Sequence, residues 1–309
     1  MNQLKVCFIG IGSIAKRHIR NLKQICERRG IALTIDAVRR SMDQTEGLDQ
    51  VYTSEAALPV DYDVIFITNP TDKHLEALKT FHGHGKHFFI EKPVVSREQI
   101  DEARQFGLKP DSVYYVAAPL RYNAVIKWVK DNIDPNDVIS VRSISSSYLP
   151  DWRPGQDYRQ TYSAHKDMGG GVSIDLIHEW DYLTYLFGQP QRINSMMGRI
   201  SQLEIDTEDY AIYIAEYANK IVELHLDYFG RKKIREIQLL TKDDTIIGDI
   251  ANNKITFLCS GESTDFKEER DDYQKRELIH FLNMIEGKEQ IETGFNHGLQ
   301  VLELTQGNV

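Results

Sequence analysis

Apolar and polar positions along this chain of 309 residues fall into two regimes. Through about residue 118, short apolar runs alternate with stretches of helical period. Residues 6–9, 32–38, 62–68, 86–90 and 113–118 read as strands, with a shorter one at 51–53. Ile14, Ile19 and Leu22 recur at roughly helical spacing after the first run, and His74, Leu75, Ala77, Leu78 and Phe81 do so after the 62–68 run. A further helix is predicted from about Arg97 to Phe106. Strands alternating with helices predict a parallel, doubly wound sheet, with ligands beyond the carboxyl ends of its strands.

The pattern then changes. A helix at about 123–132 leads to 138–148, which alternates as a half-buried strand. Residues 149–166 form a polar, aromatic loop long enough to point to function. Gly169, Gly170 and Gly171 precede a helix at 172–187, which Gly188 and Pro190 close. Strand-like runs follow at 194–199, 210–217, 221–228, 235–240, 245–249 and 254–258. With no helices between them, they predict an antiparallel or mixed sheet. A charged connection at 265–273 leads to a helix at about 274–285 and a short one near His297. The fold class expected is α/β: an N-terminal Rossmann-type doubly wound parallel sheet, then an α+β domain with a large, open, mostly antiparallel sheet. The expected domains are 1–119, binding a nucleotide, and 120–309, binding substrate and carrying oligomer contacts.

A formal net charge of −9 argues against nucleic acid or an anionic membrane as the general partner. The three cysteines lack the spacing of a metal site or a disulfide framework. There is no apolar run of spanning length and no signal-peptide pattern at the start, so the expectation is a cytoplasmic protein without a metal centre.

The first strand ends in Gly10, Gly12 and Ala15, spaced G-x-G-x-x-A, and a helix follows. Here the first glycine permits a tight turn and the second lets backbone approach a pyrophosphate. The alanine lets helix and strand pack closely, and the helix N-terminus offers free N–H groups to phosphate. At the tip of the second strand, where an acid would bind the ribose of NAD, stand Arg39, Arg40 and Ser41. Guanidinium forks and a hydroxyl suit a 2′-phosphate, so NADP is favoured over NAD; solvated surface charges are the alternative. Lys92, between a buried strand and Pro93, would project where a nicotinamide lies and could share a substrate hydroxyl's proton. Asp175 and His178, three apart, are expected on one face of one helix. Histidine titrates near neutrality as a free side chain and suits a proton relay, with Asp175 to orient it; a buried structural histidine is the alternative. Arg121, Tyr122, Trp152, Arg153, Tyr158 and His165 are the expected substrate contacts. Aromatics can pack on a sugar's apolar face, and arginines can grip a carboxylate or diphosphate; packing of the loop itself is the alternative for each.

Taken together, these motifs resemble the family of glucose–fructose oxidoreductase and inositol dehydrogenase (Gfo/Idh/MocA). The residues that carry the resemblance run from Gly10 to His178. They are Gly10-Ile11-Gly12-Ser13-Ile14-Ala15 with His18, Thr68-Asn69-Pro70 with His74, Glu91-Lys92-Pro93, Arg121, and the glycine triplet leading to Asp175 and His178. The resemblance implies an NAD(P)-dependent oxidoreductase that moves a hydride between nicotinamide and a carbinol or carbonyl carbon of a sugar derivative, a nucleotide sugar or sugar acid being favoured. It implies proton transfer by Lys92 and His178 with Asp175 assisting. It also implies cofactor contacts at Gly10, Gly12, Ser13, Ile14, Thr68, Asn69, Pro70, His74, Glu91 and Lys92. Many relatives place the histidine four residues after the aspartate rather than three, which leaves Asp181 as the other match for the family carboxylate. Redox-neutral glycoside hydrolysis on the same scaffold, or a non-catalytic NADP-binding regulator, are the competing readings. The open sheet has a face to cover, so a homodimer or homotetramer is expected. If the arginines read a 2′-phosphate, Arg40→Asp is expected to reverse an NADPH preference to NADH; separate fluorescence titrations with the two cofactors measure this.

Overall fold

A computed structural model of the chain describes residues 1–41, 47–290 and 293–307. They group into two compact units. Met1–Ala117 and Gln274–Leu299 form the first; Ala118–Tyr273 and the residues from Gln300 form the second.

The first unit is a six-stranded, wholly parallel sheet in the order β3-β2-β1-β4-β5-β6. The strands are β1 (Gln3–Ile9), β2 (Ala32–Val38), β3 (Gln50–Tyr52), β4 (Tyr62–Ile67), β5 (Gly85–Ile90) and β6 (Tyr114–Val116). The helices are α1 (Ser13–Arg29), α2 (His74–Phe81) and α3 (Ile100–Arg104). This strand order reverses at β1, the topological switch point of a dinucleotide fold. Buried Ala15, Ile19, Leu22, Ile25 and Cys26 form one stripe of α1. Gly30, in the left-handed region at φ 66°, ends the helix by donating to the carbonyls of Cys26 and Glu27.

Across the sheet, Phe8, Phe66, Phe89 and Tyr115 stand directly opposite one another on β1, β4, β5 and β6. Their ring centroids are 4.4, 5.0 and 5.1 Å apart in turn. Helix α7 (Arg270–Ile285) covers this row. Phe281 presents its edge to Phe89 at 5.2 Å, and Glu277 accepts from the Tyr115 hydroxyl at 3.2 Å. The reading in chain order carries the second domain straight on to residue 309. Helical period shows that a helix has an apolar face, not which core receives it.

In the second unit α4 (Ala124–Asn132) opens on the side-chain cap of Asn123. Strand β7 (Val138–Ser146) then enters an eight-stranded sheet ordered β14-β13-β12-β11-β7-β10-β9-β8. Its other strands are β8 (Arg192–Gly198), β9 (Tyr210–Glu216), β10 (Ile221–Asp227), β11 (Ile234–Thr241), β12 (Thr245–Asp249), β13 (Lys254–Phe257) and β14 (Ser263–Asp265). Only β7 and β10 pair in parallel. Strand β14, wholly exposed, has no apolar alternation to announce it in the sequence.

The helix expected at 172–187 is two pieces, α5 (Val172–Asp175) and α6 (His178–Phe187). Leu176 leaves helical geometry at φ −99° and ψ 28°, and the next turn tightens, with Ile177 N–H on the Ile174 carbonyl and Glu179 N–H on that of Leu176. Trp180 and Tyr182 of α6 are fully buried, Trp180 lying edge-on to Tyr213 at 5.2 Å. Helix α8 (Phe295–Leu304) is the last element in the described residues. Among the described residues, no helix is long and apolar enough to cross a membrane.

Phe281→Ala is expected to cost about 3–5 kcal/mol. Denaturant unfolding followed by circular dichroism measures it, and an unchanged midpoint would mean that α7 contributes nothing to the first core.

Candidate active site

The β1–α1 turn is built as the glycine pattern predicts. Gly10 has φ +89°, and a Cβ there would lie 2.9 Å from the Asn69 Cα, so both conformation and space demand glycine. Gly12 caps α1 without any side-chain bond, the first turn of the helix holds no acid, and a Cβ at Gly12 would meet no protein atom within 4 Å. The first N–H groups of α1, from Ser13 and Ile14 onward, therefore lack the side-chain acceptor that closes most helix ends. Open space in front of bare donors at a positive dipole end fits a pyrophosphate. Thr68 faces inward instead: its hydroxyl donates to the Gly10 carbonyl at 2.7 Å and braces the turn. Asn69 donates to the Lys73 carbonyl at 3.3 Å, and Pro70 is exposed.

His74 is 1% exposed, with Nδ1 2.9 Å from the Pro93 carbonyl oxygen and Nε2 3.0 Å from that of Asn69. Burial lowers its pKa against the pull of both carbonyls. Both ring nitrogens of His74 are thus engaged with backbone, and its place is between the loops rather than facing solvent. At the end of β5, Glu91 and Lys92 are half-buried and Pro93 buried, with a cis peptide between Lys92 and Pro93. Glu91 accepts from Nε2 of buried His18 at 2.6 Å and from the Lys92 N–H at 3.2 Å. Burial alone would raise the Glu91 carboxyl; His18 and Lys92 more than reverse this and hold it below its ordinary value. His18 stands in the sequence as part of the glycine motif, with nothing there to show its bond to a residue 73 positions on.

Past β2, Arg39 is half-buried with its N–H on the Tyr52 carbonyl, Arg40 is exposed and Ser41 half-buried. Asp36, the nearby acid, is buried inside the strand and accepts from the Tyr62 hydroxyl at 2.6 Å.

In the second unit, Asp175 is the last residue of α5 and His178 the first of α6. The single-helix geometry expected for the pair is therefore replaced by a break between them. Asp175 is 5% exposed. It accepts from the Tyr228 hydroxyl at 2.5 Å, and its charge raises the pKa of the nearby Tyr162 hydroxyl. His178 is half-buried. The glycine triplet has a role the sequence did not disclose. A Cβ at Gly170 would fall 2.0 Å from the Tyr162 carbonyl oxygen, and one at Gly171, where φ is +128°, 2.5 Å from the Glu208 carboxylate. These glycines admit the neighbouring loop and the Glu208 side chain.

Of the expected substrate contacts, Arg121 is buried and spends its fork on Asp181, at 2.9 and 2.8 Å. Asp181 thus belongs to a bidentate ion pair. Tyr122 is half-buried. Trp152 donates to the Ser147 hydroxyl at 2.9 Å and lies edge-on to Tyr228 at 5.3 Å. Exposed Arg153 covers the Tyr162 ring at 5.2 Å. Trp152 and Arg153 therefore neighbour the two tyrosines beside Asp175. Tyr158 and His165 tie the loop down elsewhere: Tyr158 accepts from the Glu204 N–H at 3.2 Å, and His165 Nε2 is 2.7 Å from the Arg159 carbonyl. Tyr228 and Glu208 carry no motif by which the sequence could have marked them.

A parallel sheet with this strand order and an open glycine turn defines a Rossmann-type dinucleotide-binding scaffold. Residues 4–109 match the model of the oxidoreductase family with an NAD-binding Rossmann fold, and residues 126–239 match the GFO/IDH/MocA C-terminal domain. The chain belongs to the Gfo/Idh/MocA family. It is 27% identical over 192 residues to the oxidoreductase YrbE of Bacillus subtilis, covering 60% of this chain and 54% of that one. It is 24% identical over 186 residues to inositol 2-dehydrogenase of Rhizobium meliloti, covering 59% and 54%. The match thus spans about half the length of these relatives. Among solved structures, levoglucosan dehydrogenase in complex with NADH has a TM-score of 0.85 at 15% identity, over 99% of this chain and 96% of that one. Myo-inositol 2-dehydrogenase from Lactobacillus plantarum has 0.77 at 19%, over 98% and 95%. At these identities the likeness is one of fold.

A carboxyl held below its ordinary value adds stability above the usual glutamate range and loses it as pH falls through the lowered native value. His18→Leu is therefore expected to destabilise by about 1–3 kcal/mol at neutral pH, the difference from wild type shrinking on acidification. Denaturant midpoints of both proteins across the acid range measure it.

Proposed function

We propose that this protein is a nicotinamide-dependent dehydrogenase or reductase acting at a CH–OH carbon of a sugar or cyclic polyol. The observation that carries the reading is the open, uncapped glycine turn on a scaffold of this family, accompanied by Glu91-Lys92-Pro93 in one unit and Asp175 with His178 in the other. Relatives and structural neighbours are named for inositol, levoglucosan and UDP-N-acetylglucosamine. These set the class of substrate to try, a nucleotide sugar or sugar acid being favoured on the arginines and aromatics of the 149–166 loop.

The dinucleotide supplies the hydride chemistry when bound. The glycine turn and the first N–H groups of α1 hold its pyrophosphate. Arg39, Arg40 and Ser41 read the adenosine ribose, which favours NADP; the NADH named in a neighbour's structure points the other way. Lys92 donates to the reacting oxygen of the substrate, His178 takes or returns the proton, and Asp175 assists. Outward positions on the second sheet include exposed Met196 and Ile214, and we assign that face to a second copy of the chain.

Lys92→Ala is expected to abolish turnover while changing the cofactor dissociation constant by less than about threefold, since a group that acts on the reacting oxygen matters most in the transition state. Absorbance of the reduced cofactor with myo-inositol, levoglucosan and UDP-N-acetylglucosamine, alongside cofactor fluorescence titration, tests both halves. Undiminished turnover in the variant would sink the role of Lys92. No turnover by wild type with any of the three substrates and either cofactor would sink the activity.

A further inference from the structure

Three carboxylates lie buried in the α5–α6 segment, two of them met by arginine and one by a phenol. Asp181 takes the fork of Arg121, and Glu179, wholly buried, accepts from Arg235 Nε at 2.6 Å. Asp175 takes the phenol of Tyr228, with Tyr162 beside it. Tyr228, itself 0% exposed, lies 2.5 Å away from just past the end of β10, and Tyr162 comes from the loop before the glycine triplet.

The difference matters chemically. A guanidinium cancels the charge of its carboxylate and fixes it as a structural ion pair. A phenol donates a hydrogen bond and brings no charge. It restrains the carboxylate's rotamer and satisfies part of its need for donors without adding a counter-charge of its own. The Asp175 charge and burial both push the Tyr162 hydroxyl up, and burial followed by the Asp175 charge pushes that of Tyr228 up. Both phenols therefore remain protonated donors throughout the working range.

The surroundings keep both phenols in place. The Trp152 edge backs the Tyr228 ring, Arg153 covers the Tyr162 ring, and Gly170 lets the Tyr162 backbone press against the start of α5. Glu208 bonds the Ser173 hydroxyl, and its own carbonyl accepts from the Val172 N–H at 3.2 Å.

We infer that Tyr228 is a positioning residue for the reaction, fixing through its hydroxyl the orientation of the Asp175 carboxylate, with Tyr162 packed beside it. The inference rests on the reading that Asp175 serves proton transfer.

The test is Tyr228→Phe, assayed with NAD+ and NADP+ on myo-inositol, levoglucosan and UDP-N-acetylglucosamine beside wild type. Loss of one hydrogen bond to a charged group predicts that kcat falls roughly 10- to 100-fold. KM for the sugar and the nicotinamide dissociation constant should stay within about twofold, as for an interaction that matters only in the transition state. A smaller loss of the same kind is expected for Tyr162→Phe, which also carries the test should Tyr228→Phe fail to fold. A folded variant with unchanged kcat overturns the inference and leaves the dehydrogenase reading intact. A raised KM at constant kcat overturns it too, since Tyr228 would then be a substrate contact. An inactive wild type removes the dehydrogenase reading itself.

Discussion

The aromatic row Phe8–Phe66–Phe89–Tyr115 is the constraint on which the first unit depends. It places one large ring on each of four neighbouring strands at the same height, so the register of the sheet and the packing of its face are one problem. Stacked and tilted pairs of this kind add about 0.5–1.5 kcal/mol each beyond the area they bury. The row also fixes what lies above it. His18 stands edge-on to Phe89 at 5.0 Å and from there reaches Glu91, so the residue before Lys92 is anchored to the same row that sets the strands.

Around the strand ends the loops are held chiefly through backbone oxygens. Thr68 takes the Gly10 carbonyl, and His74 sits between those of Asn69 and Pro93. These bonds join the ends of β1, β4 and β5 without using a side chain that faces outward. The second unit solves its problem with charge: Arg121 with Asp181 and Arg235 with Glu179 satisfy acids in and around a helix too buried to hydrate them.

Much of this was legible in the sequence. The strands of the first sheet were, because buried parallel strands are short unbroken apolar runs bounded by turns. So was the glycine turn, because Gly10 answers a steric demand that only one residue type meets. The break at Leu176 was not, since Val172 to Phe187 keeps a helical pattern across it. Nor were the partners of Arg121 or Asp175: a charged residue's sequence neighbours do not say whether it meets a ligand or the 60th residue further along. The glycine triplet illustrates the same limit. Its composition marks a helix start, while what packs against it is set by the loop from Tyr162 to His165 and by Glu208.

The return of α7 to the first sheet makes the whole of Ala118–Tyr273 an insertion within another folding unit. At about 5–20 residues per second, the ribosome needs roughly ten seconds or more between releasing β6 and releasing the helix that covers it. Through that interval the aromatic face of the nascent nucleotide-binding half stands open to water and to chaperones. The inserted segment emerges meanwhile, still without the residues from Gln300 that complete its unit. Cutting the chain after residue 117 would leave the first half permanently in that uncovered state, so the cofactor-binding half of this molecule is not a separable module.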